Sequence, residues 1–342
     1  MPEHRKELCV IVVNWHNAAT TLACAESLRP ALDNYGGKAK LLVVDNGSQD
    51  DSVESLRNNL APEELLCRED NGGFAAGVNT GIEARKADYY VLVNNDAVVE
   101  ADFLCEITAP LDKDAKLGAI SAHIVLQGLW RPSSPRHPHA LIDKEGNAWV
   151  RTEGQHGQVL TNSTGGIVDA WGNGMDRDWL RPAGDWTAPR EVFAFCGGAC
   201  ALRADALDEV GLMREDFFMY YEDLELSYRL RKAGWGIEYA AKAIAHHAHG
   251  GSAGVTSPLF VRCNTRNRLL TATLHASKKD LAKAWLRAKA GLGRTAFGIL
   301  DRSVQPRLLG AQLQGFFQAL ARFPGLWRAR NRAPHPQRTQ PR

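Results

Sequence analysis

The stretch VLVNNDAVVE, residues 91–100, decides the fold that we predict for this chain. An apolar run of strand length, Tyr89 to Val93, stops at Asn94-Asn95-Asp96 and leaves a carboxylate at the strand end. Ligands of open α/β sheets bind at the carboxyl ends of strands, so Asp96 is the first candidate for chemistry. The alternative is that Asn-Asn-Asp is an ordinary turn and that Asp96 caps a helix beginning near Ala101.

Two earlier segments repeat the pattern of a buried strand followed by polar residues. LCVIVVNW, residues 8–15, ends in a polar break that contains Asn14 and Asn17, and LLVVDNGSQDDS places Asp45 at the end of its strand. A helical pattern follows each strand, and Asp51 and Glu54 have the spacing of a capping box. Strands and helices that alternate in this way, with polar strand ends, predict the nucleotide-binding half of an α/β protein.

Residues 71–81, NGGFAAGVNTG, predict a glycine-rich helix start after a short strand at Leu65-Leu66. Bare backbone N–H groups and the positive end of the helix dipole suit an anion or a closely approaching ligand. The spacing matches neither GxxxxGK[ST] nor GxGxxG, so close helix packing that requires small residues is the alternative. A further strand is predicted from Ala119 to Leu126.

Residues 127–192 alternate Pro, Gly, Trp, His and charged residues without a clean period, which predicts long loops. Exposed aromatic faces on such loops would suit stacking against sugar rings, whereas buried ones would pin the loops to the core. Five of the nine tryptophans lie in this segment: Trp130, Trp149, Trp171, Trp179 and Trp186.

The second focus of the chain is FFMYYEDLELSYRLRKAGW, residues 217–235, which has the apolar spacing of a helix. Glu225 and Arg229 form a favourable pair one turn apart, and Gly234 follows the last turn. Glu222 and Asp223 fall at the helix start behind aromatic residues, where desolvation could tune one carboxylate as a base. Helix capping alone is the alternative, because acids are favoured at a helix N-terminus.

Three histidines, His246, His247 and His249, follow a predicted strand from Ile237 to Ala240. Alternation places His247 and His249 on one side of the chain and His246 on the other. One of them could complete a Mn²⁺ or Mg²⁺ site with Asp96, since nucleotide phosphates would supply further oxygen ligands.

The bulk composition bounds the classes of protein to which the chain can belong. With 342 residues, 23% of them charged and 44% hydrophobic, it can bury a full globular core. No apolar run approaches the roughly 20 residues that cross a bilayer. The first residues lack the apolar region of a signal peptide, so we expect a cytoplasmic protein. Seven irregularly spaced cysteines argue against a disulfide framework.

The charge is divided unevenly along the chain. Residues 278–342 carry 14 Lys or Arg against two acids, whereas the rest carries 27 against 37. Basic amphipathic patterns predict a helical extension over residues 276–327 that contacts an anionic membrane peripherally. The alternative is that these helices pack on the rest of the chain or on a second subunit, as in a homodimer. Residues 328–342, rich in Arg and Pro, are predicted to be disordered.

In their order, these motifs resemble inverting family-2 glycosyltransferases of the GT-A fold, and most of all the bacterial rhamnosyltransferase-like branch. The resemblance extends over roughly residues 8–270 and is carried by VVNWHN, VVDNGSQDDS, NGGFAAGVNTG, VLVNNDAVVE, GGACALRADALDEVG, FFMYYEDLELSYRLRKAGW, AHHAHGGS and RNRLL. It implies a Rossmann-like α/β fold, a mixed sheet flanked by helices, as a catalytic domain over residues 1–275. Residues 1–126 would bind the nucleotide, and residues 127–275 would form the acceptor and catalytic half.

The resemblance also implies the reaction and its participants. The donor would be a nucleotide-diphospho-sugar, with dTDP-rhamnose preferred, and the acceptor would be a hydroxyl of a glycan or lipid-linked glycan. A divalent cation, Mn²⁺ or Mg²⁺, would assist transfer with inversion in the synthesis of a bacterial cell-surface polysaccharide or glycolipid. A nucleic-acid partner is not expected.

Roles for individual residues follow from the same resemblance. Asp223 would be the general base with Glu222 as its neighbour, and Asp96 and His247 would ligate the cation. Arg266 would neutralise charge on the leaving group. Donor contacts would come from Asn14, Asn17, Asp45, Asn71, Gly73, Phe74, Asn79, Asn95, Arg266 and Asn267. The chain departs from the family's DxD-type motif at Asn94, where an acid is expected, and the metal is therefore more weakly specified.

Other functions compete with this interpretation. The missing first acid favours a non-catalytic carbohydrate- or nucleotide-binding module, whereas Glu222, Asp223 and His247 favour an enzyme. A nucleotidyltransferase would carry a Gly-rich loop with Arg or Lys after the first strand, and residues 14–20 have none. An NAD dehydrogenase would carry GxGxxG after a strand, which is also missing.

Overall fold

The computed structural model describes residues 6–154, 156–169, 172–184, 189–248, 257–302 and 304–330. In these ranges the helices, α1 to α9 in chain order, span Ala18–Tyr35, Ser52–Asn59, Gly73–Ala84, Phe103–Lys113, Ala204–Val210, Glu222–Lys232, Pro258–His275, Lys278–Leu300 and Pro306–Ala329. The strands, β1 to β14, span Leu8–Asn14, Ala39–Asp45, Leu65–Cys67, Tyr89–Val93, Ala97–Val99, Leu117–Leu126, Leu129–Ser133, Leu141–Ile142, Ala148–Thr152, Thr161–Ser163, Gly166–Val168, Gly174–Asp176, Ala199–Arg203 and Gly236–His247.

A large mixed sheet forms the centre of the molecule. Its strands are ordered β3-β2-β1-β4-β13-β6-β14-β5, and β10 pairs with β6. Strands β3, β2, β1 and β4 are parallel, whereas β13 lies antiparallel between β4 and β6. The predicted α/β fold with a mixed sheet is therefore confirmed.

The register brings polar residues from several strands to one edge of this sheet. Asn14 at the end of β1 is the partner of Asp45 at the end of β2, and β4 runs parallel beside them. Because parallel strands end on the same side, the Asn94-Asn95-Asp96 turn opens on the same edge. The antiparallel β13 begins there, and the Asn94 N–H donates to the Gly198 carbonyl at 2.8 Å.

The continuous apolar runs reflect strands that are covered on both faces. In β1, Val10 and Val12 face one apolar cluster, with α1 and α4, and Cys9 and Ile11 face the other, with α3 and α6. Buried apolar side chains on both faces leave no polar alternation to read in the sequence. All seven cysteines are free.

The prediction of long loops over residues 127–192 is wrong where six short strands, β7 to β12, interrupt the segment. Strands β7, β9 and β8 form a small sheet, β11 and β12 form a second, and β10 joins the large one. Trp130 is buried with three leucines, and Trp149 and Trp179 pack against this satellite cluster. The described tryptophans therefore pin the segment, while Trp171 and Trp186 lie outside the described residues. Strands of two to five residues are too short to show a period.

Several predicted helix and strand ends need correction. Asp51 makes no side-chain cap hydrogen bond, so the predicted capping box is absent from α2. Asp102 occupies the N-cap of α4, and β5 separates that helix from Asp96, so Asp96 is not its cap. Strand β14 continues past Ala240 and includes the first two histidines, whereas His249 lies outside the described residues.

The predicted features of α6 are confirmed. The Arg229 Nε donates to Glu225 Oε2 at 2.9 Å, and the Glu225 carboxylate also contacts His275. These partners outweigh the effect of burial and lower the pKa of Glu225 to about 2. Gly234 follows the helix end with a φ of 93°.

The C-terminal helices α8 and α9 pack on α7. They share an apolar cluster whose members include Leu269, Leu270, Leu281, Ala284, Phe316 and Ala319. Helix α9 continues to Ala329, so the predicted disorder is wrong for the first two residues of 328–342, and residues 331–342 lie outside the described part. No helix in the described ranges has an apolar stretch long enough to cross a bilayer. The predicted domain boundaries stay predictions.

Candidate functional site

Asp96 lies opposite a histidine at the edge of the sheet. Strand β5 pairs with β14, and this pairing brings the Asp96 Oδ1 within 2.9 Å of the His247 Nε2. The Ala248 N–H donates to the Asp96 carbonyl at 2.9 Å and fixes the turn. His246, one residue earlier, points to the other side and lies 3.3 Å from Glu100. The alternation of these two histidines is therefore confirmed.

The other ring nitrogen of His247 lies 2.8 Å from Asn162 Oδ1. An amide oxygen only accepts, so Nδ1 carries the proton in this contact. Nε2 then faces the Asp96 carboxylate, and the two atoms could share a cation. Ligands at right angles on an octahedral ion with bonds of about 2.1 Å lie roughly 3 Å apart. The carboxylate oxygen and imidazole nitrogen therefore have a chemistry and a separation that fit Mn²⁺ or Mg²⁺.

These two side chains would be the protein ligands of such an ion. No group of three or more His, Cys, Asp or Glu side chains in the described ranges could hold a metal by itself. An ion at Asp96 and His247 would thus need ligand oxygens from a bound molecule. Nucleotide phosphates supply oxygens of this kind.

Asp45 is the centre of a buried network between β1 and β2. Its carboxylate accepts from Asn14 Nδ2 at 2.7 Å and from the Ser48 hydroxyl at 2.7 Å. Asn14 Oδ1 accepts from the Thr21 hydroxyl at 2.6 Å, and Asn95 Nδ2 donates to the same hydroxyl at 3.0 Å. The network joins the ends of β1 and β2 to the turn that carries Asp96. Donor contacts by Asp45, Asn14 and Asn95 stay predictions.

Two aromatic rings next to this network were not among the site residues predicted from the sequence. Trp15 is 41% exposed, and its ring stacks on that of His16 at a centroid distance of 4.4 Å. His16 Nε2 accepts from the Gln49 N–H, which ties the rings to the turn after β2. A flat aromatic surface therefore lies beside Asn17, whose side chain makes no cap hydrogen bond to α1.

The start of α3 lies against the loop before α6. Gly73 has a φ of +85°, and a Cβ there would lie 2.2 Å from the Phe218 carbonyl oxygen, so only glycine fits. Asn71 Oδ1 accepts from the Gly73 N–H at 2.9 Å and shapes the turn. Asn79 is buried, and its amide donates to the Met213 carbonyl, so it ties α3 to the chain ahead of α6. Direct donor contacts by Asn71, Gly73 and Asn79 stay predictions.

Asp223 lies in the first turn of α6 and faces the Gly197-Gly198 break. Its Oδ2 accepts from the Gly197 N–H at 2.9 Å, and its Oδ1 accepts from the Leu224 N–H at 2.7 Å. Burial raises the pKa of Asp223 more than these two donors lower it. A partly desolvated carboxylate is a stronger base than one in water.

Glu222 is buried beside Asp223 in a different environment. Its Oε2 has no hydrogen-bond partner among the described residues. Burial raises the pKa of Glu222 to about 8, and the charge of Asp223 adds to the rise. Glu222 is therefore mostly protonated at neutral pH, and the negative charge of the pair rests on Asp223.

The loop that leads into α6 has an unusual backbone. Phe218, Tyr220 and Tyr221 have φ angles of 65°, 67° and 72°, a region that side chains with a Cβ rarely adopt. Such residues cost about 1–3 kcal/mol each and cluster at functional sites. The loop therefore needs contacts from the rest of the protein to keep this backbone conformation. Glu222 and Asp223 follow it directly in the sequence.

Arg266 and Asn267 hold this loop from α7. The Asn267 amide donates to the carbonyls of Phe217, Met219 and Tyr220 at 2.7–2.9 Å. The Arg266 guanidinium donates to the Phe217 carbonyl at 2.5 Å and to Asn267 Oδ1 at 2.7 Å. Both side chains are buried. The structure thus gives them contacts beneath the loop, while their predicted donor contact and the charge neutralisation by Arg266 stay predictions.

The two halves of the sequence meet at the Gly197-Gly198 break. Gly197 donates to Asp223, whereas Gly198 accepts from the N–H of Asn94, two residues before Asp96. A Cβ on Gly197 would lie 3.5 Å from Asp223 Oδ2 and 3.6 Å from the Phe74 ring. Asp223, Phe74 and the Asn94 turn therefore lie around this break, and we call the region between them the cleft.

A further acid in the cleft was missed. Asp176, at the end of β12, lies within electrostatic reach of both Asp223 and His247 and bonds to Ser163 and Cys196. Desolvation by the neighbouring protein atoms raises the pKa of Asp176 to about 6, and the charge of Asp223 adds to the rise, although the residue keeps an exposed surface. Asn162 was missed as well. Both lie in the segment interpreted as loops, where no pattern marks them.

A protein-family comparison matches most of the chain. The family model described as "Glycosyltransferase like family 2" matches residues 4–272. A curated relative, the "N-acetylglucosaminyl-diphospho-decaprenol L-rhamnosyltransferase" of Mycobacterium tuberculosis (strains CDC 1551 / Oshkosh and ATCC 25618 / H37Rv), is 25% identical over 230 residues. That match covers 61% of this chain and 67% of the relative.

Solved structures show the same fold. GalNAc-T7, crystallised with UDP, GalNAc and Mn²⁺, has a TM-score of 0.53 and 16% identity over 79% of this chain, which spans 48% of that protein. The mannosyltransferase PcManGT from Pyrobaculum calidifontis, in complex with GDP-Man and Mn²⁺, has a TM-score of 0.52 and 14% identity, covering 94% and 88% of the two chains. At such identities the likeness establishes the GT-A fold.

Proposed function

Because the chain belongs to glycosyltransferase-like family 2, we propose that it transfers a sugar with inversion from a nucleotide-diphospho-sugar to an acceptor hydroxyl. The observation that carries this proposal is the desolvated Asp223 carboxylate, which borders the same cleft as Asp96 and His247. The first candidate for the donor is dTDP-rhamnose, in line with the name of the curated relative. For the acceptor we propose a lipid-linked glycan.

Asp223 is the proposed general base. Its raised pKa favours uptake of the acceptor hydroxyl's proton as that oxygen attacks the anomeric carbon. The Gly197 and Leu224 N–H groups hold the carboxylate in place, and protonated Glu222 adds no second negative charge beside it. Asp176, open to the same cleft, is placed to orient the acceptor through a hydrogen bond.

Asp96 and His247 are the proposed ligands of a divalent cation. When bound, such an ion would stabilise negative charge on the leaving diphosphate. Asn162 orients His247 so that its Nε2 faces Asp96. The exposed Trp15 ring offers a face on which the nucleotide base can stack.

The C-terminal helices are proposed to contact an anionic membrane at the cytoplasmic face. Their outer surface exposes large apolar side chains: Leu286, Phe297, Leu300, Phe317, Leu320 and Trp327. The segment also carries the basic excess of the chain. Apolar side chains combined with basic ones favour an anionic lipid surface. Cosedimentation of the full chain with phosphatidylglycerol vesicles, strongest at low salt, would support this contact, and its absence at low salt would exclude it.

The donor is tested by thermal-shift measurements with dTDP-, UDP- and GDP-sugars, with and without Mn²⁺. A bound donor raises apparent stability by mass action, so dTDP-rhamnose with Mn²⁺ is expected to give the largest shift. Transfer to a lipid-linked acceptor, followed by the anomeric configuration of the product, then tests the reaction. Retention of configuration would contradict the proposed mechanism. Donor binding without any transfer would indicate the non-catalytic binding module that the missing acid at Asn94 favours.

A further inference from the structure

A second pocket lies between α7 and α9, outside the cleft described above. It has a volume of about 300 Å³, within the range of ligand sites. Its walls come from the first turns of α7 and the first half of α9: Pro258, Leu259, Arg262, Arg307, Gly310, Ala311 and Gln314. Helix N-termini carry the positive end of the helix dipole, and both walls begin at one.

The pocket is positively charged without a compensating acid on its walls. Neither Arg262 nor Arg307 belongs to an ion pair formed within the described ranges, and the Arg262 Nε is buried without a hydrogen-bond partner there. The nearby acid Asp216, which lies within electrostatic reach of Arg266 on the same helix, already forms ion pairs with Arg214 and Arg322. A buried guanidinium N–H group without a partner is costly, so the Arg262 Nε favours an anionic ligand in this pocket, and the exposed Arg307 adds a second positive charge.

The backbone around Arg262 is fixed by close helix packing. Helix α9 approaches α7 so closely at Gly315 that a Cβ there would lie 2.4 Å from the Arg262 carbonyl oxygen. The Cα of Arg262 therefore has little freedom. The planar guanidinium that this backbone carries suits two-pronged contact with phosphate oxygens.

The pocket adjoins the loop that carries the proposed base. Phe260, between the pocket residues Leu259 and Arg262, contacts the Tyr220 ring at a centroid distance of 5.0 Å. Tyr220 belongs to the strained loop that ends at Glu222 and Asp223. One pair of aromatic rings thus joins the wall of the pocket to the acceptor side of the cleft.

We propose that this pocket binds the diphosphate of a polyprenyl-diphosphate-linked acceptor, an inference that rests on the function proposed above. Arg262 and Arg307 contact the phosphate oxygens, and Gln314 donates a further hydrogen bond. The sugar on the diphosphate extends past Phe260 and Tyr220 toward Asp223. The prenyl chain leaves over α9, where the exposed Phe317 lies one turn beyond Gln314.

The test uses the full chain and geranyl diphosphate, which has a diphosphate and a prenyl chain but no sugar or nucleoside. Binding is measured calorimetrically in EDTA, so that no divalent cation recruits the diphosphate to Asp96. Arg262→Ala and Arg307→Glu are expected to raise the Kd about tenfold or more. Arg131→Ala, which removes one exposed Arg from β7, is the matched control and is expected to leave the Kd unchanged. Because Arg307 is exposed, its substitution remains informative if Arg262→Ala does not fold.

Two further arms separate the sources of the phosphate group and the two proposals. With a lipid-linked acceptor, Arg307→Glu should raise the acceptor KM about tenfold while kcat changes little. Its cosedimentation with phosphatidylglycerol vesicles should fall no further than that of Arg328→Glu, which reverses an exposed charge at the far end of α9, outside the pocket. A loss of vesicle binding with unchanged geranyl diphosphate affinity would assign the pocket to membrane lipid and overturn the proposal. If Arg131→Ala lost as much affinity for geranyl diphosphate as the pocket variants, the proposal would be overturned too. The loss would then follow from the net charge of the protein and not from the pocket. Intact diphosphate binding without transfer would contradict the proposed function and leave the pocket standing.

Discussion

The two carboxylate sites of the cleft differ in how their charge is compensated. Asp96 faces an imidazole at 2.9 Å, and that imidazole is itself oriented by Asn162. Among the described residues, the Asp223 carboxylate has backbone N–H groups as its hydrogen-bond partners, and its neighbour Glu222 is a second buried acid. Burial raises the pKa of Asp223 and Glu222. The first site therefore suits the binding of a cation and a diphosphate, and the second suits the transfer of a proton.

The two sites are also supported by different parts of the fold. The Asp96 turn follows regular strands of the large sheet, so its position comes from strand register. The Asp223 carboxylate follows a loop with three positive φ angles, held by side chains from α7. The register of paired strands is held by many backbone hydrogen bonds and is hard to shift. The strained loop keeps its conformation through the side chains of α7 that bind its carbonyl groups. Substitutions at the two sites should therefore separate binding from chemistry.

The largest effect is expected for Asp223→Asn. The amide cannot accept the acceptor's proton, so transfer should fall about 10²–10⁴-fold, the usual contribution of a general base. Donor affinity, measured by thermal shift with Mn²⁺, should stay within about twofold because the substitution does not touch the Asp96 site. Asp205→Asn, an exposed acid in the first turn of α5, is the matched control. Near-normal transfer by Asp223→Asn would remove that residue from the role of base.

Asp96→Asn should mainly weaken donor binding, whereas Asp223→Asn should mainly lower the rate of transfer. Loss of one anionic ligand is expected to weaken Mn²⁺-dependent donor binding about 10-fold to 100-fold, because the neutral amide is a poorer ligand for a hard cation. The measurement is a Mn²⁺ titration of the donor-induced thermal shift. Glu100→Gln, which alters the neighbouring contact with His246, is the control and should change little. A Mn²⁺ dependence identical to that of the unaltered chain would place the cation elsewhere.

Asn267→Ala should affect the base without touching the cleft. The carbonyls of Met219 and Tyr220 lose their side-chain donor, and the Phe217 carbonyl keeps only Arg266, which should cost about 1–3 kcal/mol of unfolding free energy. The loop would then relax, and we expect kcat to fall about tenfold while the donor KM changes little. Asn264→Ala, one turn earlier on α7, is the control. A rise in donor KM with unchanged kcat would instead support the direct donor contact predicted from the sequence.

The smallest effect is expected for Glu222→Gln and concerns pH. The folded protein holds a proton on Glu222 up to about pH 8, whereas the unfolded chain releases it near the ordinary pKa of about 4.5. The folded state thus binds more protons in this interval, and stability falls as pH rises through it. The neutral amide has no such loss, so the Tm of Glu222→Gln relative to the unaltered chain should rise between about pH 4.5 and about pH 8. Glu83→Gln, which alters an exposed acid on α3, is the control and should show no such trend. If the Tm difference between Glu222→Gln and the unaltered chain did not change with pH, Glu222 would be ionised in the folded state.

Much of the large sheet could be predicted because its strands are long and covered on both faces. The strand ending at Val93 and the strand ending at Asp45 each read as an apolar run with a polar stop, and the structure has both. The helix after Tyr221 was equally visible from its charge pair and its terminal glycine. These signals come from residues close together in the sequence, and the contacts between distant parts of the chain do not override them.

Other features depend on contacts between distant residues and left no local signal. Asn162 meets His247 across 85 positions, and Asp176 reaches the cleft from a strand of three residues. The tethering by Asn267 depends on carbonyl groups 47 to 50 positions away, which side-chain patterns do not reveal. The sequence therefore indicates Asp96, Glu222 and Asp223 but neither Asp176 nor most of the contacts that hold and orient these acids.

The central claim is that a cation at Asp96 and His247 and a base at Asp223 face each other across a space that holds one sugar. Anomalous diffraction from crystals grown with Mn²⁺ and dTDP tests it most directly. We predict an anomalous peak about 2.0–2.2 Å from an Asp96 oxygen and from His247 Nε2, with the diphosphate bound to the same ion. The Asp223 carboxylate should face that diphosphate across the open cleft. A peak away from Asp96, or an Asp223 side chain turned out of the cleft that holds the nucleotide, would contradict the account.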